Sequence, residues 1–100
     1  MNPPSMSIDE ATQIFKALAD PTRLRLIQLL ACQEPGSALC VMALADRLEV
    51  SQPAVSQHLR VLRNLGLVRG ERRGCRVHYF LDEDELAKWR EMASEALEKA

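Results

Sequence analysis

No apolar run in this 100-residue sequence approaches the length of about 18 residues that a membrane-crossing helix needs. The opening MNPPSMSIDEA also lacks the charged and apolar regions of a secretion signal, so no membrane partner and a cytoplasmic location are expected. Cysteine is scarce. Cys32, Cys40 and Cys75 cannot all pair within one chain, which argues against a disulfide framework and leaves thiols that are core, reactive or metal-binding. The only histidines are His58 and His78, and together with the three cysteines they form no grouping of nucleophile, base and orienter. With no phosphate loop and no metalloprotease motif either, an enzyme is the least supported class. Internal repeats and low-complexity tracts are missing, and the length and composition fit one domain over residues 1–100.

An excess of positive charge is missing too, since the formal net charge is -1. Its distribution says more than its sum. Between residues 60 and 76 stand six arginines (60, 63, 69, 72, 73 and 76) against the single acid Glu71, whereas residues 82 to 99 hold seven acids against Lys88, Arg90 and Lys99. One end of the chain is basic and the other acidic, the footprint of a nucleic-acid binder with a separate acidic helix.

Periodicity supplies the elements. SIDEATQIFKALA (7–19) opens with Ser7 and Glu10 in capping-box spacing and repeats apolar residues at helical intervals. Asp20 and Pro21 open a second, almost solidly apolar helix, which QEPGS (33–37) breaks. A short third helix carries Val41, Leu44, Ala45 and Leu48 on one face, with Cys40 near its start. Ser51 caps a fourth, Pro53 sits in its first turn, Val55, Leu59, Leu62 and Leu65 recur at three or four residues, and Gly66 stops it. After Gly66 the period falls to two. LVRGE and CRVHYFL flank a turn at Arg72, Arg73 and Gly74, with Val77, Tyr79 and Leu81 on one face and Arg76, His78 and Phe80 on the other. DEDELAKWREMASEALEKA then forms a helix with an acidic start. This order predicts a mainly α fold with a small β-hairpin, a winged helix-turn-helix. The helix-turn-helix is expected over about 39–65, the wing over about 67–81, and terminal helices over about 7–19 and 83–99. A chain this short buries a limited core, so the terminal pair, with Ile14, Phe15, Leu86, Trp89, Ala93 and Leu97, is the expected dimer surface.

Double-stranded DNA is the partner this pattern suits. A recognition helix must offer donors and acceptors to base edges from its first turns and hold its place by phosphate contacts. In SQPAVSQHLR, Gln52 and Gln57 match an adenine edge, Ser51 and Ser56 can bond bases or phosphates, Arg60 reaches guanine or the backbone, and Pro53 offers apolar surface to a thymine methyl. Arg72, Arg73 and Arg76 at the hairpin tip suit phosphates or an adjacent minor groove. His58 either reads a base or fixes the helix, and His78 is expected as an exposed strand residue. The competing class is a winged helix that binds another protein, which an uninterrupted basic surface disfavours.

FKALADPTRLRLIQLL (15–30), VSQPAVSQHLRVLRNLGLV (50–68) and GCRVHYFL (74–81) together resemble the hallmark segments of ArsR/SmtB-type winged-helix repressors. The resemblance implies a homodimer joined through its first and last helices, an inverted-repeat operator, and release when an effector binds. Two recognition helices on a two-fold axis would enter major grooves about 34 Å apart. Arsenic-sensing members begin the third helix with Cys-Val-Cys; in LCVMAL the first sulfur aligns with Cys40 and Met42 replaces the second, a thioether where a metalloid wants thiolate. Zinc-sensing members carry histidines in the last helix, where this chain has Glu83, Glu85, Ala96 and Lys99, so that zinc site is expected to be absent. Three readings of the thiols remain open: a thiophilic metal or metalloid site at Cys32 and Cys40, with Cys75 a remote third candidate; a redox or reactive-sulfur switch at the same pair; or ordinary structural cysteines with no effector.

Overall fold

The computed structural model describes residues 7–33 and 39–98. Its elements run α1 (Ile8–Leu18), α2 (Pro21–Cys32), β1 (Leu39–Cys40), α3 (Val41–Leu48), α4 (Gln52–Asn64), β2 (Val68–Arg73), β3 (Arg76–Leu81) and α5 (Glu83–Glu98). Lys99, expected in the last helix, and most of the expected QEPGS break lie outside the described residues.

The helix starts follow the local chemistry of their caps. Ser7 Oγ accepts the Glu10 N–H at 3.1 Å, Asp20 Oδ1 that of Arg23 at 3.0 Å, Ser51 Oγ that of Ala54 at 3.2 Å and Asp82 Oδ1 that of Glu85 at 3.0 Å. Each satisfies an N–H that the first helical turn leaves without a partner. Asp20 lies below the usual carboxylate range chiefly because it accepts the Arg23 backbone N–H; partial desolvation opposes the shift and the Arg23 charge adds to it. At the other ends, Glu49 closes α3 in the left-handed region (φ 55°), and Gly66 closes α4 at φ 81° while the Leu67 N–H reaches back to the Leu62 carbonyl at 3.0 Å.

One core joins all five helices to the base of the hairpin. Leu26, Leu44, Leu62, Leu67 and Val55 are fully buried there, with Leu59, Val68, Leu81 and Trp89 packed around them. Truncating such a leucine to alanine costs about 2–5 kcal/mol, a large share of the stability of a domain this small.

The sheet differs from the expected hairpin in two ways. It has three strands, in order β1-β3-β2, with Leu39 paired to Tyr79 and Cys40 to His78. The chain reversal also falls at Gly74 and Cys75, not at Arg72 to Gly74: Arg72 and Arg73 remain in β2, and Arg73 faces Arg76 across the ladder. Gly74 has φ 66° and Cys75 does not share a positive φ, the pattern of a two-residue type II′ turn that matches strand twist. His78, expected in the open, is half-buried instead, because β1 lies alongside it. Gly70 has a packing reason: a Cβ there would stand 3.0 Å from Val77 Cγ1 and 3.2 Å from Tyr79 Cε1.

Within the protomer α1 packs on α5, and the core takes up several residues expected at a dimer surface. Ile14, Leu86 and Trp89 are buried in the protomer itself, and Ala93 is half-buried. The apolar side chains left facing outward on these helices are Ile8 (79% exposed), Phe15 (38%) and Leu97 (68%).

Candidate nucleic-acid interface

The helix α4 is two-sided by construction. Val55, Leu59 and Leu62 at three- and four-residue spacing turn into the core, so Gln52, Pro53, Ser56, Gln57, Arg60, Arg63 and Asn64 are left exposed. Helix α3 packs across α4, and the connection between them is only Glu49, Val50 and Ser51. Ser51 Oγ is committed as an acceptor to its own helix, which leaves its hydroxyl hydrogen free for an outside acceptor.

His58 belongs to the inner side. Its Nδ1 accepts from Arg23 Nη1 at 3.3 Å, since a guanidinium only donates. The same guanidinium donates through Nε to the Ala17 carbonyl at 2.7 Å and through Nη2 to the Lys16 carbonyl at 3.3 Å. Arg23 thus fastens the end of α1 to the middle of α4, a contact that the helix-fixing alternative for His58 would make. Sequence reasoning passed over Arg23; its place three residues after the Asp20 cap was the available signal.

From Arg69 to Arg76 every wing residue is exposed, and this stretch holds Arg69, Arg72, Arg73 and Arg76 against Glu71. The Arg73 guanidinium carbon lies 5.1 Å from the centre of the Phe80 ring, within cation–π range. Four cationic side chains on the hairpin, beside a helix that exposes the amides of Gln52 and Gln57 and the guanidinium of Arg60, make an interface suited to a polyanion with readable edges.

Residues 20–69 match the family described as bacterial regulatory protein, arsR family. A Synechocystis relative, "Transcriptional repressor SmtB homolog", is 45% identical over 97 residues, covering 93% of this chain and 70% of its own length. The chain belongs to the arsR family. It is thereby a winged helix-turn-helix transcription regulator. The Escherichia coli "Arsenical resistance operon repressor" is 48% identical over 69 residues, which are 69% of this chain and 56% of that protein. A homodimeric winged helix-turn-helix DNA-binding domain from Mycobacterium bovis superposes with a TM-score of 0.70 at 28% identity, covering 98% of this chain and 92% of that one.

In this arsR-family chain the thiols occupy three different settings. Cys32 is the exposed last residue of α2, and the neighbouring Gln33 Nε2 donates to the Tyr79 carbonyl at 3.2 Å, which ties the end of α2 to β3. Cys40 is half-buried, pairs across β1–β3 with His78, and is the cap residue of α3. Both lie on segments anchored to the same strand. Cys75 is exposed in the wing turn, three residues from His78 and so about 10 Å along the strand from the Cys40 pairing. The Cys40 thiol is lowered below its ordinary value, first by the Ala43 backbone N–H, then by that of Met42 and the charge of Arg76, against the opposing effect of burial. Among the described residues no group of three or more His, Cys, Asp and Glu side chains gathers where one metal ion could hold them.

Proposed function

We propose that this chain is a homodimeric cytoplasmic repressor that binds an inverted-repeat operator and leaves it when a thiophilic metal, a metalloid or a thiol-reactive signal acts at Cys40, with Cys32 as the second thiol. The observation that carries the DNA part is the exposed row Gln52, Ser56, Gln57 and Arg60 on α4 next to the arginine hairpin. Gln57 and Arg60 read bases, Gln52, Ser51 and Ser56 bond bases or phosphates, Pro53 meets a thymine methyl, and Arg72, Arg73 and Arg76 hold the backbone.

The dimer contact rests on the outward Ile8, Phe15 and Leu97, with Ala93 at its margin; Ile14, Leu86 and Trp89 support it from inside. The homodimeric state of the Mycobacterium bovis domain favours this arrangement. For the effector, the name of the Escherichia coli relative favours a soft species, and the lowered Cys40 thiol favours Cys40 as the point of attack.

The test uses DNA selected from a random pool by the full chain. The expected motif is an imperfect palindrome with half-sites one helical turn apart, bound by two protomers; single-site selection by a monomer would overturn the reading. Titration of that complex with arsenite, cadmium, zinc and a persulfide donor, for the parent and for Cys32→Ser/Cys40→Ser, reads the effector. Release that is unchanged in the double variant would remove the cysteines from the mechanism.

A further inference from the structure

Between the start of α3 and the wing lies a cavity of about 260 Å³, lined by Cys40, Val41, Met42, Arg76, Val77 and Tyr79. Its chemistry is unequal. Most of the wall is aliphatic and aromatic, the one nucleophile is the Cys40 sulfur, and the one cation is Arg76, which makes no ion pair among the described residues. A metal ion wants several ligands converging on one point. This cavity offers a single thiol, a weak thioether, and a guanidinium that would repel a cation. A planar organic molecule with an electron-poor carbon and an anionic group matches all three sides of it.

We propose that this cavity is a covalent binding site for small anionic carbon electrophiles, α,β-unsaturated carbonyl compounds carrying a carboxylate, with the carboxylate on Arg76 and the carbon bonded to Cys40 Sγ. The inference deepens the reading of Cys40 as the effector thiol and rests on it. The thiolate sulfur attacks the alkene carbon β to the carbonyl, forming the C–S bond as the C=C π pair moves to the carbonyl oxygen as an enolate. Water then protonates the α carbon and leaves hydroxide, which balances the proton lost when the thiol ionised. The net change is addition of thiol across a double bond, with no leaving group, oxidant or reductant. The backbone N–H groups of Ala43 and Met42 that lower the Cys40 thiol increase its share of the attacking thiolate.

Position links the adduct to DNA. Cys40 is the point where β1 pairs with β3 and α3 begins, so a ligand in the cavity wedges the support helix away from the wing. Met42, 51% exposed, lines this cavity and also the groove that holds Ser51 and Gln52 at the start of α4. An adduct that moves Met42 therefore meets the first turn of the recognition helix, and its carboxylate draws Arg76 away from phosphate.

The probes are 3-benzoylacrylate and its methyl ester, each rate divided by that of the same probe with N-acetylcysteine. Intact mass and peptide mapping of the full chain follow the sites. The expected result is a mass gain equal to the whole probe, with Cys40 labelled about tenfold faster than Cys32 or Cys75. The normalised rate at Cys40 is expected to be roughly tenfold higher for the acid than for the ester, a preference that Arg76→Gln removes. Affinity for the selected DNA falls in step with Cys40 labelling, and Cys40→Ser treated with the same probe stays bound. Equal labelling of Cys75 and Cys40, or an acid-to-ester ratio unchanged in Arg76→Gln, would overturn the proposal. Selective labelling without any DNA affinity in the unlabelled protein would instead refute the repressor reading and leave the site standing.

Discussion

Replacing Arg73 by alanine tests the wing as a phosphate clamp, and its effect can be worked out before the measurement. Arg72, Arg73 and Arg76, the residues proposed to hold the backbone, are all exposed in the wing, so a dimer would present six such cations. With each phosphate contact contributing about 0.9 to the salt slope, the six wing cations are expected to contribute about -5, and loss of Arg73 from both protomers to reduce the slope's magnitude by about 1.8. Between about 50 and about 200 mM salt the parent should therefore lose about 12-fold more affinity than the variant, so the two binding curves converge as salt rises. The stacking of Arg73 on Phe80 provides the control. Phe80→Leu removes the ring and keeps the charge; it should leave the slope unchanged while costing about 0.5–1 kcal/mol through a less ordered guanidinium. Fluorescence anisotropy at five salt concentrations, on selected and scrambled duplexes, reads both quantities. A slope for Arg73→Ala equal to that of the parent on both duplexes would refute the assignment, because it would mean that the wing neutralises no phosphate at that position.

Gln57→Ala and Arg60→Ala should each cost about 1–3 kcal/mol on the selected duplex and much less on a scrambled one, as measured by the same anisotropy assay; equal losses on both would assign them to the backbone. Gly70→Ala forces a Cβ to 3.0 Å from Val77 Cγ1, so thermal unfolding should show a loss of about 1–3 kcal/mol. The Asp20 carboxyl is depressed in the folded state, so its stabilising contribution is fully present above the ordinary aspartate value and disappears as the pH falls through its lowered value. Urea midpoints across the acid range should accordingly fall more steeply for the parent than for Asp20→Ala; parallel curves would show that the cap hydrogen bond does not carry the shift.

What was legible in the sequence was whatever rests on local chemistry. The caps at Ser7, Asp20 and Ser51, the core positions Val55, Leu59 and Leu62 and the change of period after Gly66 are all settled within a few residues of chain, and they appear as expected. The β1 strand was not legible, because two residues have no period and Leu39 and Cys40 become a strand only by pairing with residues 38 and 40 positions away. The same pairing explains why His78 is covered. The reversal at Gly74 and Cys75 was misplaced because charged residues suggest a turn, whereas here the φ of one glycine decides it. For Ile14, Leu86 and Trp89 the apolar stripe was read correctly but its destination was not. Amphipathicity says that a face is buried and not whether its own protomer or a second copy buries it. Arg23 and the Arg76–Tyr79 side of the Cys40 cavity escaped for a related reason: each depends on elements that meet only in three dimensions.

The three hydrogen bonds of Arg23 bind the carbonyls of Lys16 and Ala17 on α1 to the imidazole on α4, and so tie the helix carrying the outward Phe15 to the helix carrying Gln57. In the dimer proposed above, a twist at the contact through Phe15 would reach Gln57 through this link. In the proposed dimer, assembly state and groove spacing would be linked through this side chain, and a lysine in place of Arg23, with a single nitrogen for three acceptors, should weaken the link while leaving the charge of the protein unchanged.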